Sequence, residues 1–298
     1  MEKAEARDRA AYEVALFENR LELLVSVHKE CSDPWDWESL KNADPPPEPK
    51  PSTVNERAAR AALEAYSPGM ADRLLGRESR KREALASAVE AAKKQDEDDA
   101  RKARAEYEKD LEEWKKMREI AEGVLEAKLS AYEAAIREAD PFSEISLLGS
   151  KVTIRGEDTR RMEVEVRVNG EDVVPAQSKS LLKNGQLSVK EMPKGKFYEL
   201  YQDHVCSVAI RAAREMLALL PIETVFFHAT ADLLNTSTGH LEEQTILSVA
   251  MPRATVERLN FDTIDCSDAM KNFVHRTDFK KTRGFAAVER MVPSSFGV

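Results

Sequence analysis

Three groupings of side chains in this chain have the residue types from which a reactive site is built. The first is Asp203, His204 and Cys206, close together in sequence, with His228, His240 and Cys266 on segments that could converge with them. Nitrogen and sulfur ligands suit zinc. His204 and Cys206 stand two positions apart, however, and on a helix they point in different directions. The plainer reading makes Cys206 a small core residue and His204 a solvent-facing one. His28 and Cys31 share one helical stripe, but a stripe that ends in two moderately polar residues explains them as well.

The second grouping has the order of a metal-dependent nuclease core. Such cores place an acidic residue, then a Glu or Gln with a Lys two positions on, along a β meander followed by a helix. The carboxylates hold Mg²⁺ and the lysine helps orient the attacking water. Glu163, Glu165 or Asp172 supplies the acid here and Gln177-Ser178-Lys179 the second element, with the segment Phe197 to Leu220 as the helix. The competing reading is an ordinary loop between strands.

The third is a cationic and aromatic run: Lys271, His275, Arg276, Lys280, Lys281 and Arg283, interleaved with Phe273, Phe279 and Phe285. Cations beside aromatic rings suit phosphate contact with base stacking, or docking on an acidic protein surface. Lys280, Lys281, Arg283 and Phe279 are therefore the expected partner-binding residues. A terminal helix whose phenylalanines pack on a sheet is the alternative. The phosphate loop G-x-x-x-x-G-K-[ST], the dinucleotide turn G-x-G-x-x-G, the elbow G-x-S-x-G and the metal helix H-E-x-x-H are all absent. The sequence specifies no cofactor.

These residues need elements to carry them. At 298 residues the chain is long enough for two structural units. Residues 1–145 hold 34 Asp and Glu against 25 Lys and Arg, whereas residues 146–298 hold 20 of each, so the net charge of -9 lies in the first half. That half reads as extended helix. Ala10, Val14, Phe17, Leu21, Leu24, His28 and Cys31 form one stripe of a helix from Glu2 to Cys31. A proline-rich connection over 33–52 follows, semi-rigid and extended, with Trp35 and Trp37 as anchors. Thr53-Val54-Asn55-Glu56 has the spacing of a capping box. From Met70 to Ala139 no proline interrupts a long helix, whose face is marked by Tyr107, Leu111, Trp114, Ala121 and Val124. The polar run Lys93 to Lys102 is expected to be solvated on every side or to sit at a bend.

After Asp140-Pro141 the period changes to two. Strands are expected at Lys151–Arg155 and Met162–Val168, a hairpin turn at Asn169-Gly170, returning strands at Asp172–Ala176 and Gln186–Met192, and the central helix Phe197–Leu220. Further strands are expected at Thr224–Ala229, Thr245–Met251 and Phe261–Ile264, with helices at Ala254–Leu259 and Ser267–Arg276. The class is α+β: a coiled-coil-like helical arm (1–140) followed by a mixed, largely antiparallel α/β domain (141–298).

No stretch approaches the roughly 20 apolar residues of a membrane helix, and the amino terminus lacks a signal core, so a cytoplasmic location and no membrane partner are expected. Three scattered cysteines argue against a disulfide framework. The expected role is an interaction or scaffold protein. Its arm forms a homo-oligomer or grips a protein partner, and its α/β domain presents a recognition surface. A metal-dependent nuclease, or a nucleic-acid-binding accessory protein, is the alternative.

Overall fold

The computed structural model describes residues 2–70, 77–143, 151–156 and 158–295. They divide into two units, residues 1–37 with 123–298, and residues 38–122.

The larger unit is built on a six-stranded sheet in the order β1-β2-β5-β6-β7-β8. Its strands are β1 (Lys151–Gly156), β2 (Arg161–Arg167), β5 (Thr224–Asn235), β6 (His240–Pro252), β7 (Val274–Lys280) and β8 (Gly284–Ala286). Neighbours are antiparallel except β2 and β5, which run parallel. A parallel pair requires a crossover, and here it contains a separate hairpin, β3 (Gln177–Leu181) with β4 (Leu187–Glu191), and the helix α6 (Lys194–Leu219).

Alternation along the strands separates two faces. Met162, Val164, Val166, Val225, Phe227, Leu247, Val249 and Met251 share one face by register and are almost fully buried. Tyr201 of α6 meets Phe285 of β8 edge-on at 5.7 Å, which places α6 against this face. The opposite face carries Glu163, Glu165, Phe226, His228, Ser248 and Ala250, and residues 287–295 run across it.

The helix α1 (Glu2–Val25) belongs to this unit, packing on α6, β3 and β4. The sequence-based boundary at residue 140 is corrected in this respect. The α1 stripe that seemed to need an arm partner, Ala10, Val14 and Leu24, is buried within the globular unit. Past α1 the chain makes a 3-10 turn at Val27–Lys29 rather than continuing as helix to Cys31.

Four carbonyls at the carboxyl end of α6 would be orphaned and buried, and each has a partner. The Trp35 amide donates to Ala218, the Trp37 indole to Leu219 at 2.7 Å, and the Arg253 guanidinium to both Leu217 and Leu220. The two tryptophans stack at 5.0 Å and are thus anchored on α6.

In the smaller unit the chain passes from α2 (Trp37–Asn42) through the proline-rich connection to α3 (Val54–Glu64), and this length runs antiparallel to α4 (Glu78–Leu125). The Trp114 indole donates to the Ala43 carbonyl, Arg104 pairs with Glu48 at 2.6 Å, and Asp96 accepts from the amides of Asn55 and Glu56. The match is metric. Ala43 to Glu48 in extended form spans about 15 Å at ~3.1 Å per residue, the distance that separates Trp114 from Arg104 at ~1.5 Å per residue of helix.

Several expectations change here. The helix is unbroken through Lys93–Lys102, and it ends at Leu125, where Ala127 takes a positive φ of 54° before α5 (Leu129–Ala139). Thr53 makes no side-chain cap, so no capping box forms, and Asp96 caps α3 instead. Asn169-Gly170 leads into a 3-10 turn at Glu171–Val173 rather than a hairpin, because β2 is already paired on both edges, by β1 and β5. Phe261–Ile264 forms turns, and the expected terminal helix shrinks to α7 (Cys266–Ala269), followed by a short 3-10 turn and β7.

Candidate functional site

Two buried polar clusters flank the sheet. The first lies on the face opposite α6, where three adjacent strands set Glu163, His228 and Ser248 in a row. Register accounts for the alignment, since Glu165 and Ser248 both pair with His228 across the ladder and Glu163 lies two residues away on the same face. The Met291 amide donates to Ser248 Oγ at 3.0 Å, and Ser248 Oγ lies 2.9 Å from His228 Nδ1. With the hydroxyl donating to Nδ1, the ring proton sits on Nε2, which has no hydrogen-bond partner among the described residues and lies 3.7 Å from Glu163 Oε1. Arg290 closes the circuit by donating to Glu163 at 3.1 Å and to Glu165.

His228 is fully buried. Burial, with the Arg290 charge as a smaller contribution, pulls its pKa down to about 3, so the ring is neutral. Ser, His and Glu in a row have the composition of a nucleophilic triad, yet the Ser248 hydroxyl is tied to a backbone amide beneath Met291. In this state it is an internal polar network.

The second cluster lies where the turn after α1 crosses α6. Cys266 Sγ stands 3.0 Å from His28 Nδ1, and the opposite nitrogen, Nε2, donates to the Phe261 carbonyl at 3.1 Å. That donation leaves Nδ1 as the acceptor. Ser207 Oγ takes the His28 amide at 3.0 Å and reaches Nδ1 at the same distance. A thiol beside an oriented imidazole is the arrangement of a nucleophilic dyad. Burial, reinforced by Asp203 and Asp265, instead raises the Cys266 thiol to about 12, and burial lowers the His28 pKa. The pair rests as neutral thiol and neutral imidazole, pinning the turn to α6. Arg214 adds to this hold by stacking on Phe261 at 3.9 Å and donating to the His28 carbonyl.

The proposed metal ligands are distributed over both clusters. His204 is buried, not solvent-facing, and its Nδ1 donates to the Leu24 carbonyl at 2.9 Å. Cys206 is buried on α6 with its thiol pKa raised well above the ordinary value by burial. Cys266 faces His28, and His228 lies on the other side of the sheet. Among the described residues no three His, Cys, Asp or Glu side chains are grouped so as to hold a metal ion.

The nuclease candidates are likewise engaged separately. Glu165 pairs with Arg290 on the large sheet, while Lys179 pairs with Glu13 of α1 at 2.5 Å from the small one. Gln177 is an exposed residue of β3, and Asp172 is exposed in the 3-10 turn. The cationic run forms the β7–β8 hairpin. Lys281 pairs with Glu199 and Arg283 with Asp278, while Phe279 packs on Phe285 at 5.1 Å. Lys280 stands at the exposed end of β7.

Sequence reasoning passed over Ser248 and Arg290. Ser248 did carry a signal, as the one hydroxyl inside the apolar run Ile246 to Met251. Arg290 carried none. No protein-family model, curated protein or solved structure matches this chain.

Proposed function

We propose that this chain is an interaction protein, in which residues 38–122 present a stiff, charge-patterned helix to a partner and the α/β unit serves as a recognition domain. One observation carries the reading. α4 runs 48 residues, about 70 Å at ~1.5 Å per residue, and its partly buried stripe lies against its own chain through Asp96, Arg104 and Trp114. Most of its other positions are exposed, and opposite charges pair along it, as in Arg104 with Glu108 and Arg118 with Glu122. A fold that braces one long helix from within leaves a surface suited to polar, salt-dependent docking rather than to hydrophobic coiling. An oligomer or a gripped partner would therefore use the charged faces, since the stripes of α1 and α4 are occupied by the chain itself.

Both thiol and histidine clusters are closed to solvent, which favours this reading over the hydrolase alternative. The test is cross-linking of the full chain in its native cell, together with metal analysis of the purified protein. Cross-links concentrated in 38–122 and an absence of stoichiometric metal support the proposal. Stoichiometric metal with Mg²⁺-dependent cleavage of DNA would overturn it.

The β7–β8 hairpin is a second contact point in the same reading. Replacing Lys280, Lys281 and Arg283 by serine removes only exposed ion pairs worth about 0–1 kcal/mol each. The triple variant should keep its thermal midpoint within a few degrees and lose partner binding more at low salt than at high salt.

A further inference from the structure

We propose that the groove beneath residues 287–294 is a peptide-docking site held closed in cis, and that its partner is an extended segment carrying an arginine followed by a bulky apolar residue. The inference deepens the recognition role given above to the α/β unit, by naming its groove and the chemistry of what enters.

The crossing segment binds the sheet the way a ligand does. It adds no strand. Its hold includes the Val288 amide on the Thr245 carbonyl at 2.8 Å, the Met291 amide on Ser248 Oγ, the Pro293 carbonyl receiving Arg161, the Arg276 guanidinium on the Glu289 carboxylate at 2.7 Å, and the side chains of Arg290 and Met291. Arg290 lies between two carboxylates, Glu163 and Glu165, and Met291 fills the space over Phe226 and Ala250. The charge complementarity is specific, because paired acids call for a forked cation.

Two features show that the groove is not simply a core with a cover. His228 is fully buried, yet its Nε2 has no hydrogen-bond partner among the described residues and stands 3.7 Å from Glu163. A cover selected only for packing would not leave a buried ring nitrogen without a partner. Beyond Met291 the groove also continues into an open cavity of about 410 Å³, lined by the same Phe226 and Ala250 with Thr224, Phe273, Val274 and Arg161. An incoming segment therefore has room past its apolar anchor and an unpartnered ring nitrogen beside its arginine.

The cis segment is tethered, and a tether holds it at an effective concentration on the order of millimolar. A free peptide therefore competes poorly against the wild-type chain. The experiment uses the full chain with Arg290→Glu, which sets a third carboxylate against Glu163 and Glu165 and expels the segment, and Arg290→Lys as the control. The probe is a fluorescent peptide of residues 287–294, read by anisotropy.

The peptide should bind the Arg290→Glu chain at least about tenfold more tightly than the wild type. A peptide with alanine at the arginine position should lose that binding. A folded Arg290→Glu chain that binds no better than the wild type overturns the proposal. If Arg290→Glu unfolds the domain, amide exchange on the wild type decides. Exchange at Met291 well ahead of Val249 supports a displaceable segment, and exchange at the same rate overturns it. Neither result bears on cross-links in 38–122, so the two proposals fail independently.

Discussion

The carboxylate of Asp96, in the first half of α4, accepts the Glu56 amide at 2.8 Å and so caps a helix that begins at Val54, 42 residues earlier in the chain. Asn55 adds its own amide and its side chain to the other oxygen. The amide bonds from Glu56 and Asn55 hold the Asp96 pKa below its ordinary value of 3.8. A depressed carboxylate stabilises the folded form above its unfolded pKa, and that contribution disappears as pH falls through the lower, folded value. Asp96→Ala should therefore speed amide exchange at Asn55 and Glu56 and remove the acid-side loss of helicity. Thr53→Ala should do neither, since Thr53 makes no cap. Equal effects from the two substitutions would restore the capping box that the sequence suggests.

Local signals located most elements and few of their partners. α6 is expected at Phe197–Leu220 and found at Lys194–Leu219, because its apolar positions repeat at helical spacing over seven turns. β2 is legible because Val164 and Val166 alternate with Glu163 and Glu165. The stretch Val274–Lys280 misled because its cations fit a helical face as well as they fit alternate positions of a strand, and pairing with β6 decided the matter. Such pairing is non-local and leaves no mark in the segment itself. The clusters were less legible still. Glu163, His228, Ser248 and Arg290 come from residues 127 positions apart, joined by a parallel pairing of β2 with β5 that local patterns do not encode.

The capping of α6 offers a graded test of the larger unit. Trp37→Phe keeps an aromatic ring beside Trp35 but removes the donor to Leu219 together with part of the buried indole, and leaving that carbonyl unpaired alone costs about 1–3 kcal/mol. Arg253→Met removes charged donors from Leu217, Leu220 and Ile222 together, at about 2–4 kcal/mol in its partly exposed setting. Urea unfolding should place the variants in that order. A Trp37→Phe midpoint equal to the wild type would mean that water replaces the indole at the Leu219 carbonyl.

Thiol chemistry separates the three cysteines. Cys31 is half-buried, whereas Cys206 and Cys266 are buried. A thiol near 12, as at Cys266, has almost no thiolate at neutral pH, and the thiolate is the reactive species. A disulfide reagent should titrate Cys31 first, with Cys206 and Cys266 released only in denaturant, and Cys31→Ser should abolish the native reaction. Rapid labelling of Cys266 in the folded chain would instead mark the His28 dyad as an activated thiol.

His228 gives the pH dependence of the sheet face. Its ring is neutral in the folded chain down to about pH 3, against an ordinary value of 6.5, so between those limits the unfolded chain binds the extra proton. Stability then rises with pH across this window and falls as pH drops below about 6.5, by at most about 1.4 kcal/mol per pH unit from this group. His28 and His204, lowered by burial, act in the same direction. Glu163, Glu165 and Arg290 are the charged groups beside the ring, and the Arg290 charge opposes protonation. Replacing His228 by Asn removes the titrating group while keeping a polar side chain toward Ser248. The urea midpoint of the Asn variant should be lower than the wild type at pH 7.5 and should change less between pH 7.5 and 5. A ring resonance that titrates near 6.5 in the folded protein would show that water reaches Nε2 and that residues 287–294 do not seal the groove.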